Sequence, residues 1–183
     1  MSTLEVNNIN PQSGTTITIG GSGDTVSLGS GATQSGFGGV NTPSFFAYLS
    51  SDQTLTDDTS VKIQFDTEIF DSDGTYDNST NYRFTPAVAG KYYVFAGLRY
   101  DNIINQATIR NQIYVNGSVV NGSFLAGNNS SSNRDYTIET SAILNLDSDD
   151  YVEIYGNSNN GTVVVNGDST YKSYFGAYKI IGA

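Results

Sequence analysis

Short runs of alternating apolar and polar residues follow one another from residue 45 onward. Residues 45–49, 61–65 and, less cleanly, 67–70 open the series. Such alternation puts successive side chains on opposite faces of a strand. Residues 91–100 are a long, nearly continuous apolar run, the pattern of a strand buried on both faces. Ile109 to Val115 leads into Asn116-Gly117, then Ser118-Val119-Val120 and a second pair, Asn121-Gly122. Asn-Gly is the preferred two-residue hairpin turn, because both positions accept positive φ. From 137 to 146, Ile138, Thr140, Ala142, Leu144 and Leu146 share one parity. Runs at 151–155, 161–165 and 173–181 complete the pattern. Roughly eight to ten strands with regular turn signals predict a β-sandwich. A stretch of Ala, Leu, Glu and Lys long enough for a helix is nowhere present.

The first part of the chain has a different texture. Residues 1–42 hold a single aromatic, Phe37, whereas 43–183 hold every Tyr and all other Phe. The glycine-rich stretch Gly36-Phe37-Gly38-Gly39-Val40 marks the boundary. Within the first part, Gly14-Thr-Thr-Ile-Thr-Ile-Gly20 aligns with Gly23-Asp-Thr-Val-Ser-Leu-Gly29 at a period of nine. Each copy offers a short alternating strand and a glycine turn. One chain with two such strands buries little, since a lone hairpin is marginal in water. The expectation is a β-rich stalk in which three chains bury Ile17, Ile19, Val26 and Leu28 around a threefold axis; its alternative is a flexible linker. The nonapeptide calcium roll, G-G-x-G-x-D-x-U-x, does not fit, because Asp24 comes one residue early and in one copy only.

Charge and composition narrow the function. Only 14% of residues are charged, against about 25% in typical domains. The net charge is −10, and the eight basic residues are spread singly along the chain. This spacing argues against nucleic-acid binding and against anionic membranes. No stretch approaches the length of a membrane span. Cysteine and histidine are absent. The usual zinc sites and the Ser-His and Cys-His nucleophile systems therefore cannot be built from this chain.

A few segments carry candidate chemistry. Asp71-Ser72-Asp73-Gly74-Thr75-Tyr76-Asp77 spaces three carboxylates, Asp71, Asp73 and Asp77, around a glycine, as a calcium loop does. It lacks the bidentate Glu at position twelve, and Asp73-Gly74 reads equally as a plain turn. Asp147-Ser148-Asp149-Asp150 and Asp57-Asp58 read as solvated turns. Glu68, Glu139 and Glu153 are the glutamates that a glycosidase pair would need, but each sits within a strand, where an outward polar position explains it. No catalytic residue is assigned. The polar segment 121–133 contains Asn128, Asn129, Ser130 and Asn133, and such Asn/Ser-rich loops suit wet contacts with sugars or protein epitopes. The Asn157–Asn160 stretch is similar. Sequons at Asn78, Asn116 and Asn160 follow from the Asn/Ser/Thr-rich composition.

Several motifs, in order, resemble a known family. They are Phe45-Phe46-Ala47-Tyr48-Leu49, then Val61-Lys62-Ile63-Gln64-Phe65 with Ile69-Phe70-Asp71, then Tyr76-Asp77 and Arg83-Phe84-Thr85-Pro86. Ala89-Gly90-Lys91-Tyr92-Tyr93-Val94-Phe95, Val115-Asn116-Gly117, Asp150-Tyr151-Val152 and Ser173-Tyr174-Phe175-Gly176-Ala177-Tyr178 follow. Together they resemble the globular head of the complement first-component q type, within the tumour-necrosis-factor-like superfamily. The resemblance implies a ten-stranded jelly-roll head over 43–183 that assembles as a homotrimer, with motif residues that are structural rather than catalytic. Some heads of this kind bind calcium at the trimer apex. Animal relatives carry a collagen-like stalk, which this chain lacks. Leu4-Glu5-Val6-Asn7-Asn8-Ile9 with 13–20 instead resembles the start of fibre-like proteins of aquatic phages. The resulting expectation is a non-enzymatic virion protein, a tail or head fibre, whose segment 1–42 joins a larger particle. Its head would contact a host-surface glycan or protein. The alternatives are a capsid decoration protein without a receptor role, or a soluble lectin-like or cytokine-like module of cellular origin. Residues 1–14 lack the basic start and the apolar run (about 7–15 residues) of a secretory signal, so virion packaging and lysis are the expected route out of the host cytoplasm.

Overall fold

The computed structural model describes residues 8–27, 29–31, 41–103, 108–125, 134–159, 161–170 and 172–180, without the side chains of Asn102, Phe124 and Leu125. It divides into two compact units, Met1–Gly38 and Gly39–Ala183.

The second unit is all-β. Its strands are β1 (Ser44–Tyr48), β2 (Gln53–Leu55), β3 (Val61–Lys62), β4 (Thr67–Asp71), β5 (Tyr76–Asp77), β6 (Arg83–Phe84), β7 (Gly90–Ile103), β8 (Ile109–Val115), β9 (Ser118–Leu125), β10 (Arg134–Leu146), β11 (Val152–Ser158), β12 (Val163–Val165) and β13 (Tyr174–Lys179). They form two antiparallel sheets. The first runs β2-β12-β7-β13-β1-β4, with β10 also on β7; the second runs β5-β6-β11-β8-β9, with β3 also on β11. This is the predicted sandwich. The jelly-roll strands are supplemented by short segments such as β2, β3, β5, β6 and β12, where loops pair briefly with a sheet edge.

The strand β7 organises the first sheet. Its whole length pairs with β10, from Gly90↔Leu146 to Ile103↔Arg134. On its other edge, Tyr92 to Gly97 pair with β13, and Tyr100 and Asp101 pair with β12. Alternation explains its placement. Tyr92, Val94, Ala96, Leu98 and Tyr100 are buried between the sheets, while Tyr93 and Phe95 lie half-exposed on the outer face. A strand buried on both faces was expected here, but in the single chain β7 is covered on one face only. The reason is that, among the described residues of the second unit, no element packs over the first sheet's outer side.

Aromatic stacking fills the core. Phe45 of β1 lies parallel to Tyr76, with ring centroids 4.6 Å apart, and meets Phe175 of β13 edge-on at 4.8 Å. Phe84 stacks on the same ring at 4.9 Å. The Tyr76 hydroxyl donates to the Phe65 carbonyl at 2.9 Å, which satisfies the one polar atom of this cluster.

Turn chemistry follows the sequence at Asn116-Gly117, where φ is +51° and +76° and β8 turns into β9. The second Asn-Gly pair, Asn121-Gly122, is not a turn. It lies inside β9, beyond a bulge opposite Ile113 and Tyr114. There the Asn121 amide donates to the Ser141 carbonyl of β10 at 2.6 Å, which ties the edges of the two sheets together.

The first unit holds no strand among its described residues. Gly14, Gly20, Gly23 and Gly31 have positive φ, and the Asp24 carboxylate accepts from the Gly21 amide at 2.6 Å to close a turn. Ile17, Ile19 and Val26 are 38%, 58% and 64% exposed. Leu28, the fourth residue expected in a stalk core, lies outside the described residues. With this much exposure the alternating segments lack the burial that would hold them as strands.

Candidate functional site

Among the described residues of the second unit, the outer face of the first sheet gathers a set of uncovered apolar side chains. The registers of β10, β7, β13 and β1 set them in rows. One row reads Glu139, Gly97, Tyr174, Tyr48; the next Ser141, Phe95, Gly176, Phe46; the third Ile143, Tyr93, Tyr178, Ser44. Phe70 of β4 continues the second row opposite Phe46. Ile143 is 65% exposed and Phe70 51%, and Tyr178 is exposed as well.

Two glycines make this face possible. A Cβ on Gly97 would stand 2.6 Å from Cζ of Tyr174, and one on Gly176 would stand 2.5 Å from Cζ of Phe95. Each ring thus lies across the bare backbone of the neighbouring strand. Such packing flattens large side chains onto the sheet and joins them laterally. Phe46 and Tyr174 approach to 5.7 Å between centroids, Tyr93 and Phe95 to 5.7 Å, and Tyr93 and Tyr178 to 5.5 Å.

One end of the plateau is polar. Tyr174 donates to Glu139 Oε1 at 2.7 Å. Burial, and then the Glu139 carboxylate, push the Tyr174 phenol up to about 12. Beside this pair a depression of about 500 Å³ is lined by Tyr93, Phe95, Ser123, Glu139, Thr140 and Tyr178, among others. The buried Thr140 hydroxyl at its wall has no hydrogen-bond partner among the described residues.

The glutamates considered for glycoside chemistry are not assembled. Glu139 lies on β10 and Glu68 on β4, at opposite ends of the first sheet, and Glu153 lies on β11 of the second. Glu153 is buried, 2.9 Å from the Lys62 ammonium, and accepts from the Tyr155 hydroxyl at 3.3 Å. Burial, then Asp71, raise the Glu68 carboxyl.

The three aspartates of the acidic loop are engaged separately. Asp71 accepts from the amides of Asp73 and Tyr76 and from the Thr75 hydroxyl. Asp77 accepts from the amides of Thr80, Ser79 and Asn81 and from the Asn81 side chain. The Thr80 amide first, with Ser79 and Asn81, holds its carboxyl well below the usual range. Asp73 accepts a hydrogen bond from the Ser72 hydroxyl at 2.8 Å, and Gly74 turns with φ +65°. Among the described residues no acidic cluster is gathered to hold a metal ion. Asn128, Asn129, Ser130 and Asn133, the candidate ligand loop, lie outside the described residues.

The residues of the aromatic face were not singled out from the sequence as a site. The alternation within 91–100 carried the signal, because Tyr93 and Phe95 have the opposite parity to the core set.

A model of the C1q domain matches residues 44–180. No curated protein sequence matches the chain significantly. Among solved structures, the tumour-necrosis-factor protein Eiger of S. frugiperda superposes with a TM-score of 0.53 at 13% identity, covering 76% of this chain and 93% of its own. The globular domain of zebrafish complement 1qA superposes with a TM-score of 0.52 at 15% identity, covering 75% and 97%. At such identities the likeness to these structures is one of fold.

Proposed function

The chain belongs to the C1q domain family, whose domains are non-enzymatic binding modules that are often trimeric, and we propose that it is a homotrimeric virion fibre protein whose head contacts a host surface. The observation that carries the trimer is the uncovered aromatic face. Fully burying one large apolar side chain contributes about 1.5–3 kcal/mol. Phe46, Phe70, Phe95, Ile143, Tyr93, Tyr174 and Tyr178 together supply the apolar centre that a permanent interface needs. The Glu139–Tyr174 pair supplies polar groups at its margin. Three heads joined in this way offer three equivalent surfaces, and their linked engagement can raise avidity by about 10²–10⁴. The exposed Ile17, Ile19 and Val26 of the N-terminal unit fit a segment completed by other chains, either two more copies or a larger particle.

Light scattering on the full chain tests assembly. The expected mass is three times 19.6 kDa, and Ile143→Arg with Phe95→Arg should reduce it to one chain while the far-UV β signature persists. A monomeric wild type defeats the trimer. Antibody labelling of purified particles from a lysate tests the virion role. Label on intact particles supports it, and label confined to the soluble fraction favours a free binding module.

A further inference from the structure

We propose that Tyr114 and Tyr155 form a modification site, at which a dissolved one-electron oxidant joins the two rings into a dityrosine cross-link while Glu153 takes the Tyr155 proton. The site lies on the outer face of the second sheet, and it rests neither on the trimer nor on a place on a particle.

Composition sets where oxidation ends. The chain has no cysteine, tryptophan or histidine, and its single methionine is Met1, against thirteen tyrosines. Thiols and thioethers are the usual sinks for oxidants. With these all but absent, loss of an electron from this chain falls on a phenol.

The fold selects which phenols. Val152 and Ile154 of β11 and Ile113 of β8 are buried in the core, so Glu153, Tyr155 and Tyr114 have the outward parity. Register sets Tyr114 opposite Glu153 and Tyr155 opposite Gln112. The two tyrosines are therefore diagonal neighbours on one face, a spacing that aromatic side chains can bridge. Their ring centroids are 4.2 Å apart, with 34° between the planes. Both residues are partly exposed, which gives a dissolved oxidant access.

The surrounding charges favour Tyr155 as the first to lose an electron. Its hydroxyl donates to Glu153 Oε2 at 3.3 Å, and the Lys62 ammonium donates to Glu153 Oε1 at 2.9 Å. Burial first, and then Glu153, raise the Tyr155 phenol. It therefore keeps its proton at neutral pH and must shed it as the electron leaves, and Glu153 is placed to accept it. Tyr151, on the same strand side, carries the Arg83 guanidinium 4.5 Å from its ring centroid, and a cation there opposes removal of an electron. Tyr93 and Tyr178 on the first sheet meet at a longer 5.5 Å. Neither of their hydroxyls has a carboxylate acceptor among the described residues.

The oxidant takes one electron from each phenol. The Tyr155 proton passes to Glu153 and on to water, and the Tyr114 proton passes to water directly, which leaves two phenoxyl radicals. These join through one new carbon–carbon bond between ring carbons ortho to the hydroxyls. The hydrogen on each of those carbons then shifts to its own oxygen and restores two phenols. Two electrons and two protons leave in all, and two equivalents of oxidant are reduced. The product ties β8 to β11. In a chain without disulfides it is a covalent brace that restricts the unfolded state.

The test is to illuminate the full-length protein with tris-bipyridyl ruthenium and persulfate, a one-electron photo-oxidant, and to follow dityrosine fluorescence and cross-linked peptides by mass spectrometry. The expected product links the peptides of Tyr114 and Tyr155, runs as a single chain on a denaturing gel, and unfolds at higher urea than the untreated protein. Tyr114→Phe and Tyr155→Phe, which keep both rings, should each abolish it. Tyr82→Phe, at a separate depression beside Leu49 and Asp66, should leave its yield unchanged. Cross-links scattered over many tyrosines, links between chains in place of this one, or undiminished dityrosine in the two phenylalanine variants would each overturn the site. Glu153→Gln should slow the reaction at neutral pH and recover toward alkaline pH, where the phenol ionises unaided. An unchanged rate would overturn the proton transfer. Heavy water tests the same transfer on the wild type without a substitution: slower formation is expected, and equal rates would overturn it.

Discussion

Tyr174 and Glu139 stand two strands apart in the first sheet, and the Tyr174 hydroxyl reaches across Gly97 to donate to Glu139 at 2.7 Å. The bond exists because the strand between them carries no side chain at that position. A Cβ on Gly97 would fall 2.6 Å from the Tyr174 ring, so the ring would have to lift off the sheet. Gly97→Ala should therefore break the Tyr174–Glu139 bond and roughen the assembly face at once. The expected cost is about 1–3 kcal/mol, as for overpacking. Tyr174→Phe, which keeps the ring and loses only the hydroxyl, should cost about 1 kcal/mol. Urea denaturation at one fixed protein concentration checks both, and equal losses would mean that the glycine matters only through the hydrogen bond.

Tyrosine ionisation should set the alkaline limit of the fold. Burial first pushes up the phenols of Tyr76 and Tyr100, and Tyr174 rises to about 12 from an ordinary value of 10.0. A raised pKa means that the folded state holds its proton more tightly than the unfolded chain. The stability linked to these groups is full below pH 10 and is lost as pH climbs toward 12. Melting temperature should accordingly be flat up to about pH 9–10 and fall steeply above it, with phenolate absorbance rising together with unfolding. A phenolate signal that appears in full while the protein stays folded would show that the buried phenols are accessible after all.

The strand pattern was legible because period-two alternation is a local property. The core faces of β1, β7 and β13 follow directly from it, as does the Asn116-Gly117 turn. The rows of the aromatic face were not legible, since Gly97 and Tyr174 meet only through the register of two strands far apart in sequence. The same holds for Tyr114 and Tyr155, which look isolated along the chain and meet through the pairing of β8 with β11. The acidic loop shows the opposite limit. Its spacing suggested an ion site, but hydrogen bonds within each turn engage Asp71 and Asp77 separately, and short-range amide geometry is not visible in residue types alone. Likewise Asn121-Gly122 carries a turn signature that the bulge in β9 overrides.

That separate engagement makes a prediction for calcium. Asp71 and Asp77 already accept from amides of their own turns. Binding an ion would require giving up several of these bonds, each worth about 1.5–3 kcal/mol when the acceptor is charged. Melting temperature should be the same in calcium and in chelator. A clear rise with calcium would show that the loop rearranges or that a site lies elsewhere in the assembly.

Glycines at close approaches should differ according to what they touch. A Cβ on Gly167 would run into the backbone of Ser51, which cannot rotate away. A Cβ on Gly156 would meet side-chain ends, Leu55 Cδ1 and the Tyr100 hydroxyl, both at 2.9 Å. Gly156→Ala should cost about 1–3 kcal/mol through overpacking. Gly167→Ala should cost more, because the loop after β12 must separate from the segment before β2. It should also break the bonds from the Asn166 side chain and the Gly167 amide to Asp52. Chemical denaturation of the two variants side by side decides the order, and the reverse order would mean that the loop after β12 yields more readily than the core.

A buried polar chain offers the sharpest test of how the two sheets are joined. Tyr100 of β7 and Asn111 of β8 are both fully buried, one from each sheet. The Tyr100 hydroxyl lies 2.8 Å from the Arg110 carbonyl and 2.8 Å from Asn111 Oδ1. The Asn111 amide in turn donates to the Ile138 carbonyl of β10. That donation fixes the orientation of the amide, because only Nδ2 can give a proton to a carbonyl. The oxygen of Asn111 must then face Tyr100 as an acceptor. Tyr100→Phe would leave this acceptor without its partner in the core, at about 1–3 kcal/mol. Asn111→Ala would orphan the Ile138 carbonyl and also open a cavity, so it should cost at least as much. Because both substitutions cut one chain of bonds, the double variant should lose less than the sum of the two. A coupling of about 0.5–3 kcal/mol in the double-mutant cycle is expected. Strict additivity would mean that the two side chains stabilise their own sheets independently, and that apolar packing and the Asn121–Ser141 bond join the sheets without help from this chain.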